Sequence, residues 1–366
     1  MRRGRDSNSG KLFSQIGTYK GMEMFTRLVF LAILTASLCA CEKKGHDSVT
    51  DEDMAKAMER LSFVCTHEAD RLPAISDDAQ VLYRYALFLE SKKGAKDYQQ
   101  IGRYYRLAYA AGNYKAATNL HDLIAQGVVD SSNRSKEVID IVKNLTAQGI
   151  PGGYYDMGHY LEIGYGVKKD IPSSRAYLRN AADLGNPDAQ YYIAQLLGEI
   201  PNTADIMQSM YKCAMEQGHS QAARKYSSYA SAIHSYKDAV AGYQLSTKSG
   251  DDISAHRLAR GFEDRKPSDR LYYLALEKDE ERAARYDKIS DFLLHHEHLG
   301  AKIPDLDDIV PLPPAPLPEW DGTFKWKRDR DSAAPPSPPS EELIQRIAAE
   351  KNLDPATGTP LAAVKK

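Results

Sequence analysis

The sequence predicts an all-α fold: a right-handed α-solenoid of stacked helix hairpins with a Pro-rich C-terminal strap. Three observations predict it. A glycine followed four residues later by a small residue recurs along the chain, the segments around it are amphipathic, and prolines concentrate near the C-terminus. The anchors, spaced 37, 36, 33 and 32 residues apart, are Gly112 with Ala116, Gly149 with Gly153, Gly185 with Ala189, Gly218 with Ala222 and Gly250 with Ser254.

Each anchor has the same physical explanation. Glycine is favoured where a helix ends in a left-handed conformation, and the small residue lets the next helix approach closely. The residues seven before each glycine form a stripe: Tyr105, Val142, Leu178, Tyr211 and Tyr243. Ala79 marks an earlier copy of the small position, with Ile75 in place of the glycine. The residues four beyond the small position, counted from this copy onwards, form another stripe: Tyr83, Leu120, Met157, Ile193 and Tyr226. No helix pair can bury such a stripe alone, so neighbouring pairs must stack.

Composition shifts divide the chain into five parts. We assign residues 1–41 to an N-terminal extension and signal peptide, 51–74 to an N-terminal capping helix, 75–265 to the repeats, 266–300 to C-terminal capping helices and 301–366 to the tail. Nine of the eighteen prolines lie in the tail between Pro311 and Pro339. Both tryptophans follow the first proline run, so we expect the strap to pack on the solenoid. A final helix is predicted from Glu341 to Lys351, capped by Ser340.

The N-terminus carries a secretion signal. Leu28 to Ala40 is an apolar run of thirteen residues after a basic residue, which is too short to span a bilayer and fits a signal-peptide core. The sequence Leu-Cys-Ala-Cys that ends at Cys41 resembles the lipobox of bacterial lipoproteins, which implies a lipid on Cys41. The alternative is a simple cleaved signal in which Cys41 is incidental. Translation from Met22 or Met24 would place the basic residue and the apolar run directly at the start.

The resemblance also implies a location. In lipoproteins an Asp after the lipid-bearing Cys favours the inner membrane, whereas Glu42 follows here, so we expect an anchor in the outer membrane facing the periplasm. Two cysteines remain, Cys65 and Cys213, in a compartment that permits disulfides. Because stacking separates the two ends of an array, we interpret them as buried free thiols, with a disulfide as the alternative.

The third repeat identifies the repeat type. It reads Gly164-Tyr-Gly166-Val-Lys-Lys-Asp170, then Ala-Ala-Asp-Leu-Gly185-Asn-Pro-Asp-Ala189-Gln. This segment resembles the Sel-like repeat, a relative of the tetratricopeptide repeat, whose interhelix loop carries the Gly-x-Gly-Val-x-x-Asp pattern. The other repeats keep the glycine and alanine skeleton. The resemblance implies helical hairpins from about residue 78 to residue 265 and a role in binding proteins.

Signals of chemistry are absent from the sequence. It contains no nucleophile elbow, phosphate-binding loop or zinc-protease motif, so we expect neither an enzyme nor a cofactor. His295, His296 and His298 are the densest group of metal-ligand types, but they do not share a helix face with an acidic partner, so we expect no metal site. A net charge of −2 provides no basic field for nucleic acid.

Tyrosine is abundant, with 23 residues against 8 phenylalanines. Most tyrosines fit the buried stripes, but tyrosine also suits binding surfaces, because it combines a large contact area with a polar tip. If the superhelix curves as in its relatives, the solvent side of the first helix of each pair lines the concave face. We therefore predict a partner-binding stripe: Asn119, Asp122, Tyr155, Asp156, His159, Tyr191, Tyr192 and Gln195.

The C-terminal block suggests the type of partner. The segment from Ile309 to Phe324, with the preceding helix, is similar to a tail of unknown function on Sel-like repeat lipoproteins of Gram-negative bacteria. Some of these are encoded beside type VI secretion effectors, including lipases, and act as their immunity proteins. The resemblance implies a periplasmic immunity protein that occludes a phospholipase or similar toxin. The alternative is a scaffold for an envelope polysaccharide or secretion complex.

Overall fold

Residues 61–361 are described by a computed structural model, and they contain fifteen α-helices and no extended strand. The first six are α1 Asp77–Ser91, α2 Tyr98–Ala110, α3 Tyr114–Gln126, α4 Arg134–Ala147, α5 Pro151–Ile163 and α6 Ile171–Asp183. The next six are α7 Pro187–Leu197, α8 Ala204–Glu216, α9 Ser220–Ala232, α10 Tyr236–Lys248, α11 Asp252–Gly261 and α12 Glu280–His296. The tail holds α13 Leu306–Ile309, α14 Lys325–Ser332 and α15 Glu341–Lys351.

From α1 to α12 each helix packs chiefly on its neighbours in the chain, which confirms the predicted α-solenoid of stacked hairpins. The odd-numbered helices are the first helices of the pairs and the even-numbered helices are the second. No helix between residues 61 and 361 has both the length and the apolar character needed to cross a membrane.

The five anchor glycines end helices as predicted. All have left-handed backbones, with φ from +71° at Gly149 to +108° at Gly250. The small residues that follow Gly112, Gly185, Gly218 and Gly250 are completely buried. The buried stripe seven residues before each glycine is also confirmed, since its least buried member, Tyr211, is 5% exposed. The repeat register read from the sequence is therefore correct.

The loop between α5 and α6 carries the Gly-x-Gly-Val-x-x-Asp pattern, and its geometry explains why the pattern needs these residues. Gly164 and Gly166 both have left-handed backbones, and a Cβ on Gly166 would lie 2.7 Å from Ile139 Cγ1 in α4. Asp170 then caps α6, because its side chain accepts a hydrogen bond from the amide of Ser173 at 3.1 Å. The two glycines let the loop pack on the preceding repeat, and the aspartate starts the next helix.

The predicted capping helix over 51–74 is wrong in its described part. Between residues 62 and 74 the helical structure is a single 3₁₀ turn, Glu68–Arg71, and the residues just before it have no regular secondary structure. This segment crosses the repeats, because its backbone and the Glu68 side chain bond to carboxamides in the middle of the array. Residues 51–60, Cys41 and the whole signal segment lie outside the described residues.

The prediction of two free thiols is also wrong. Cys65 and Cys213 form a disulfide, with their Cα atoms 5.5 Å apart. The prediction assumed that Cys65 lies at the N-terminal end of the array, whereas this irregular segment places it beside α8. Gln190 Nε2 donates to Thr66 O at 2.9 Å, and Glu68 N donates to Gln217 Oε1 at 2.8 Å. We call residues 64–68 the N-terminal strap.

The C-terminal cap differs from the prediction in one segment. Residues 271–279 form a turn followed by irregular structure, and one helix, α12, pairs with α11. The capping helices expected over 266–300 are therefore one α-helix, completed by a 3₁₀ turn at Glu297–Leu299. The proline run that follows packs on this end, where Phe292 stacks on Phe324 at 3.9 Å between ring centroids. Trp320 and Trp326 border the same apolar cluster, so the expected packing of the tail is confirmed.

The tail then returns to the opposite end of the array. The final helix α15 spans the predicted residues, and Ser340 Oγ accepts from the amide of Leu343 as its cap. Ile344, Ile347 and Leu353 are buried in the core of the first repeats, and α15 packs on α2. Just beyond it, Arg103 Nε donates to Pro355 O at 2.6 Å. The C-terminal segment therefore covers the first repeats.

Candidate functional site

The start of each first helix fixes which residues it presents. The side chains of Asn113, Asn186, His219 and Asp251 accept hydrogen bonds from the amides of Ala116, Ala189, Ala222 and Ser254, at 2.7–3.0 Å. The buried small residue is therefore locked in register with the cap. All eight predicted partner residues then stand two, three or six positions beyond their small residue. Residues at these offsets share one side of a helix. We call this side the first-helix face.

The centre of the face is an interlocked aromatic and acidic cluster. His159 lies edge-on to Tyr155, at 4.5 Å between ring centroids, and edge-on to Tyr192, at 5.0 Å. Its Nδ1 contacts Glu162 at 3.2 Å, and the Tyr192 hydroxyl donates to the same carboxylate at 2.9 Å. We call these four residues the Tyr-His cluster. It joins α5 to α7 across two repeats, so the predicted Tyr155, His159 and Tyr192 do come together.

The hydrogen bonds of the Tyr-His cluster perturb its titrating groups. The bond from His159 lowers the pKa of Glu162, with help from Tyr192 and against the opposing effect of burial. Burial raises the pKa of Tyr192, and the adjacent carboxylate acts in the same direction. Arg175 of α6 contributes further positive charge, with a guanidinium nitrogen 3.8 Å from the Glu162 carboxylate. Near neutral pH the cluster therefore presents the Tyr192 phenol beside an ionised carboxylate.

A second cluster, which sequence reasoning missed, supports the α3 part of the face. His121 is almost fully buried, and its Nε2 lies 3.1 Å from Asp156 Oδ2. Its Nδ1 lies 3.2 Å from the Tyr160 hydroxyl and 3.3 Å from Asp122. Two of the predicted carboxylates are thus held by one buried imidazole. In the sequence His121 stands between Leu120 and Asp122. The only sequence signal for its role was therefore a polar residue next to the buried stripe of α3.

Asn119 is tied to the core rather than presented freely. Its side-chain amide donates to the Tyr105 hydroxyl at 3.0 Å, and that hydroxyl donates to Glu90 Oε2 at 2.5 Å. Burial and the nearby carboxylate raise the pKa of Tyr105, so the phenol remains protonated. This series of hydrogen bonds, which links α1, α2 and α3, orients the Asn119 side chain. Asn119 is therefore a supporting residue of the face.

Tyr191 and Gln195 carry the face towards α9. The Tyr191 ring stacks on His219 at 4.7 Å and lies 5.9 Å from the Tyr211 ring. Gln195 is exposed and borders a cavity of about 330 Å³ between the end of α7, α8 and α9. The cavity is lined chiefly by Gln195, Met207, Gln208, Tyr211, Lys225 and Tyr229. Burial raises the pKa of Tyr211 to about 12.

The same offsets on α9 and α11 carry basic residue types that were not predicted. They hold Arg224, Lys225, His256, Arg257 and Arg260, and the shared register in the sequence could have found them. Arg224 Nε lies 3.0 Å from the Asp251 carboxylate, whose pKa is raised by burial although the arginine opposes the shift. Arg257 lies over the Tyr243 ring at 5.6 Å. The face therefore changes from acidic on α3 and α5 to basic on α9 and α11.

The side chains that carry metal-ligand atoms make other contacts. The Nδ1 atoms of His295 and His296 contact main-chain carbonyls of their own helix at 2.7 and 2.8 Å. Within residues 61–361, one group of three such side chains lies close together, Cys65, His67 and Cys213, and its two sulfur atoms form the disulfide.

Comparisons with known proteins add to this geometry. A family model described as a domain of unknown function (DUF6396) matches residues 254–361, which run from α11 through the tail. This agrees with the expected resemblance of the C-terminal block to a tail of unknown function. A search of curated proteins gave no match.

Solved structures match most of the chain. Immunity protein PA5088 from Pseudomonas aeruginosa is 26% identical, with a TM-score of 0.56, over 69% of this chain and 95% of that protein. Immunity protein PA5087 from the same organism is 27% identical, with a TM-score of 0.54, over 70% and 96%. A Sel1 repeat protein from Oxalobacter formigenes is 19% identical, with a TM-score of 0.46, over 66% and 96%. The resemblance to immunity proteins is confirmed, and the two immunity proteins support a protein-binding role.

Proposed function

We propose that this chain is a lipid-anchored immunity protein of the bacterial envelope. In this proposal it binds a type VI secretion effector, a phospholipase, and neutralises it by covering the surface that the toxin needs. The chain acts through binding and carries out no catalysis. Its binding site is the first-helix face from α3 to α11.

The likeness to PA5088 and PA5087 is the observation that carries the proposal. It extends over 95% and 96% of those proteins, so it includes the repeat array rather than one shared hairpin. Occlusion of a toxin requires a large complementary surface, and the first-helix face offers aromatic side chains flanked by opposite charges. Aromatic residues and arginine are enriched among the residues that dominate protein interfaces.

The proposed location is supported by two features. The apolar run and Cys41 in the sequence suit export and lipid attachment. The Cys65–Cys213 disulfide suits an oxidising compartment such as the periplasm. An anchor in the outer membrane would hold the chain beside the lipids that a phospholipase attacks.

The proposal predicts that a phospholipase effector is encoded beside this gene, and that effector provides the test. The mature chain, residues 42–366, is mixed with a catalytically inactive form of that effector, and the complex is sized and its Kd measured. We expect a one-to-one complex, and loss of phospholipase activity when the active effector is used. An effector that stays fully active with excess chain contradicts the proposal. An envelope defect on gene deletion in cells that lack the effector would favour the scaffold alternative instead.

The anchor is tested separately with Cys41→Ser. We expect labelled palmitate to be incorporated into the unsubstituted chain and not into the variant, with the variant released into the soluble periplasmic fraction. Cys39→Ser serves as the matched control and should keep the lipid. Lipid on neither protein would contradict the lipoprotein assignment while leaving effector binding open to the first test.

A further inference from the structure

The disulfide lies beside an imidazole and a carboxylate. A ring nitrogen of His67 and the sulfur atoms of Cys65 and Cys213 all lie within 4.8 Å of one another. The Nε2 atom of the same ring is 3.6 Å from Glu216 Oε2. Cys65 and His67 belong to the N-terminal strap, whereas Cys213 and Glu216 belong to α8. Four side chains of the types that bind metal ions therefore meet where the strap crosses the array.

Hydrogen bonds hold the strap on the array independently of the disulfide. Gln190 Nε2 donates to the carbonyl of Thr66 at 2.9 Å, and Gln217 Oε1 accepts from the amide of Glu68 at 2.8 Å. These two bonds fix the backbone on both sides of His67. When the disulfide is open, the strap therefore still keeps its side chains close to α8.

Reduction of the disulfide supplies two sulfur ligands. Cys65 is exposed, whereas Cys213 is buried, so a reductant reaches the bond from the Cys65 side. A dithiol opens the bond by transferring two electrons and two protons to the sulfur pair, and it is itself oxidised to a disulfide. Every newly made chain also carries the two thiols before their bond forms.

We propose that the reduced chain binds one Zn²⁺ ion through Cys65, His67 and Cys213, with water as the fourth ligand. Thiolate and imidazole are the ligands that zinc prefers, and three protein ligands leave one position of a tetrahedral site for water. Each thiol releases its proton to water as its Zn–S bond forms. The Glu216 carboxylate positions the imidazole, as carboxylates beside metal-bound histidines commonly do.

The zinc ion and the disulfide are alternative ways to close the same contact. The disulfide occupies both sulfur atoms and leaves no thiolate for a metal, whereas bound Zn²⁺ holds both thiolates. Either one ties the N-terminal strap to α8. The inference does not rest on the proposed function, because the site is formed by the strap and a second helix rather than by the first-helix face.

The test compares the reduced and oxidised forms of the mature chain, residues 42–366. The chain is reduced with a water-soluble phosphine, and Zn²⁺ is titrated without oxygen in competition with a chromophoric chelator. We expect the reduced form to bind one more Zn²⁺ ion than the oxidised form. Equal binding by the two forms overturns the inference, whatever the chain does with an effector.

Substitutions in the reduced chain identify the ligands. His67→Ala removes a ligand and should weaken zinc binding by about 100-fold or more, whereas Glu216→Gln should weaken it by about 10- to 100-fold, the usual effect of losing an orienting carboxylate. His295→Ala is the matched control, because it removes an exposed imidazole of α12. It should change the Kd by less than about 3-fold, in line with most surface substitutions. Unchanged binding by His67→Ala overturns the inference.

Cobalt and thermal melting test the coordination and its effect on the fold. With Co²⁺, the reduced chain should show the absorption bands of tetrahedral cobalt bound to thiolate, and Cys213→Ser should lose them. Zn²⁺ should also raise the melting temperature of the reduced chain but not that of Cys213→Ser, because a ligand that binds the folded form stabilises it. A cobalt spectrum without thiolate bands, or a melting temperature that does not respond to Zn²⁺, contradicts the site.

Discussion

Glycine meets two different requirements in the repeats. At Gly112 the requirement is conformational, because φ is +96° and the space around a Cβ would be open. At Gly153 the requirement is steric. The residue lies inside α5, and a Cβ would be 2.5 Å from Leu145 Cβ and 2.9 Å from the backbone nitrogen of Thr146. Because one of these atoms belongs to the backbone of α4, the helices can pack at this distance only when the side chain is absent.

Gly153→Ala should destabilise the protein by about 1 to 3 kcal/mol, the usual penalty for overpacking a rigid contact. Urea denaturation followed by circular dichroism measures the change in the free energy of unfolding. Gly198→Ala is the control, because its backbone is helical and its nearest neighbours would be 3.3 Å away or more. It should be neutral or stabilising, since alanine is favoured over glycine in helices. Equal losses in both variants would show that steric contact with α4 is not the cause.

Glu162 links the Tyr-His cluster to the pH dependence of stability. Its folded-state pKa lies below the ordinary value of 4.5, chiefly because of the hydrogen bond from His159. A lowered carboxyl pKa contributes stability above the unfolded-state pKa, and this contribution disappears as the pH falls through the folded-state pKa. The cluster should therefore stabilise the protein at neutral pH and lose that contribution in acid.

Glu162→Gln tests this dependence. We expect a loss of about 1 to 2 kcal/mol at pH 7, the order of magnitude for hydrogen bonds to a charged group. The difference from the unsubstituted chain should shrink when the pH is lowered well below 4.5. Unfolding free energies are measured at several pH values, with the exposed Glu319→Gln as the control. A difference that does not vary with pH would mean that Glu162 acts through packing alone.

At the scale of elements, the N-terminal strap is the feature that local sequence patterns miss. It is held at the middle repeats by carboxamide side chains, including Gln190 and Gln217, and by the close approach of Gly185. A Cβ on Gly185 would lie 2.5 Å from the Glu68 nitrogen. The Cys65–Cys213 bond then closes a loop over a sequence separation of 148 residues. In a chain-entropy model, a long loop gives a disulfide its largest effect.

Removal of the disulfide by a Cys65→Ser and Cys213→Ser double substitution should lower the free energy of unfolding by about 2 to 4 kcal/mol. The unsubstituted chain in dithiothreitol should show a similar loss, and the double variant should not respond to dithiothreitol. Alkylation with iodoacetamide before reduction should leave both cysteines of the purified mature chain unmodified. Ready alkylation without reductant would instead support the free thiols that the sequence suggested.

The elements that sequence predicted well are those determined locally. The anchor glycines, the repeat register, and the final helix with its Ser340 cap depend on a few neighbouring residues, and the structure has them as predicted. The N-terminal strap and the return of the tail depend on contacts between residues far apart in sequence, which periodicity does not encode. His121 was missed for a related reason, because its partners Asp156 and Tyr160 come from the next repeat.

At the scale of the whole molecule, the tail connects the two ends of the array. Its first part packs on α12 in the C-terminal core, where Arg285 donates to the carbonyls of Ile309 and Pro318. Its last part, α15, contributes Ile344, Ile347 and Ala348 to the core of the first repeats. An ordinary solenoid has contacts only between neighbouring repeats. In this protein the stability of the first repeats depends in addition on the last helix.

Ile347→Ala should therefore destabilise the first repeats, although they lie far from Ile347 in the sequence. We expect a loss of about 2 to 4 kcal/mol for a buried isoleucine. Hydrogen exchange measured by mass spectrometry should show faster exchange in α1 and α2, with α10 and α11 little changed. Ile233→Ala, at a residue that is 60% exposed, is the control and should alter neither region. Faster exchange confined to the tail would show that α15 is dispensable for the first repeats.

The position of α15 also has a consequence for the order in which the protein can mature. A ribosome makes the first repeats before it makes the residues that complete their core, Ile344 to Leu353. Until those residues emerge, the surface of α2 that they cover is exposed to water. Until the tail packs on the first repeats, the chain therefore carries an unfinished apolar surface, which is the situation in which chaperones protect a chain from aggregation.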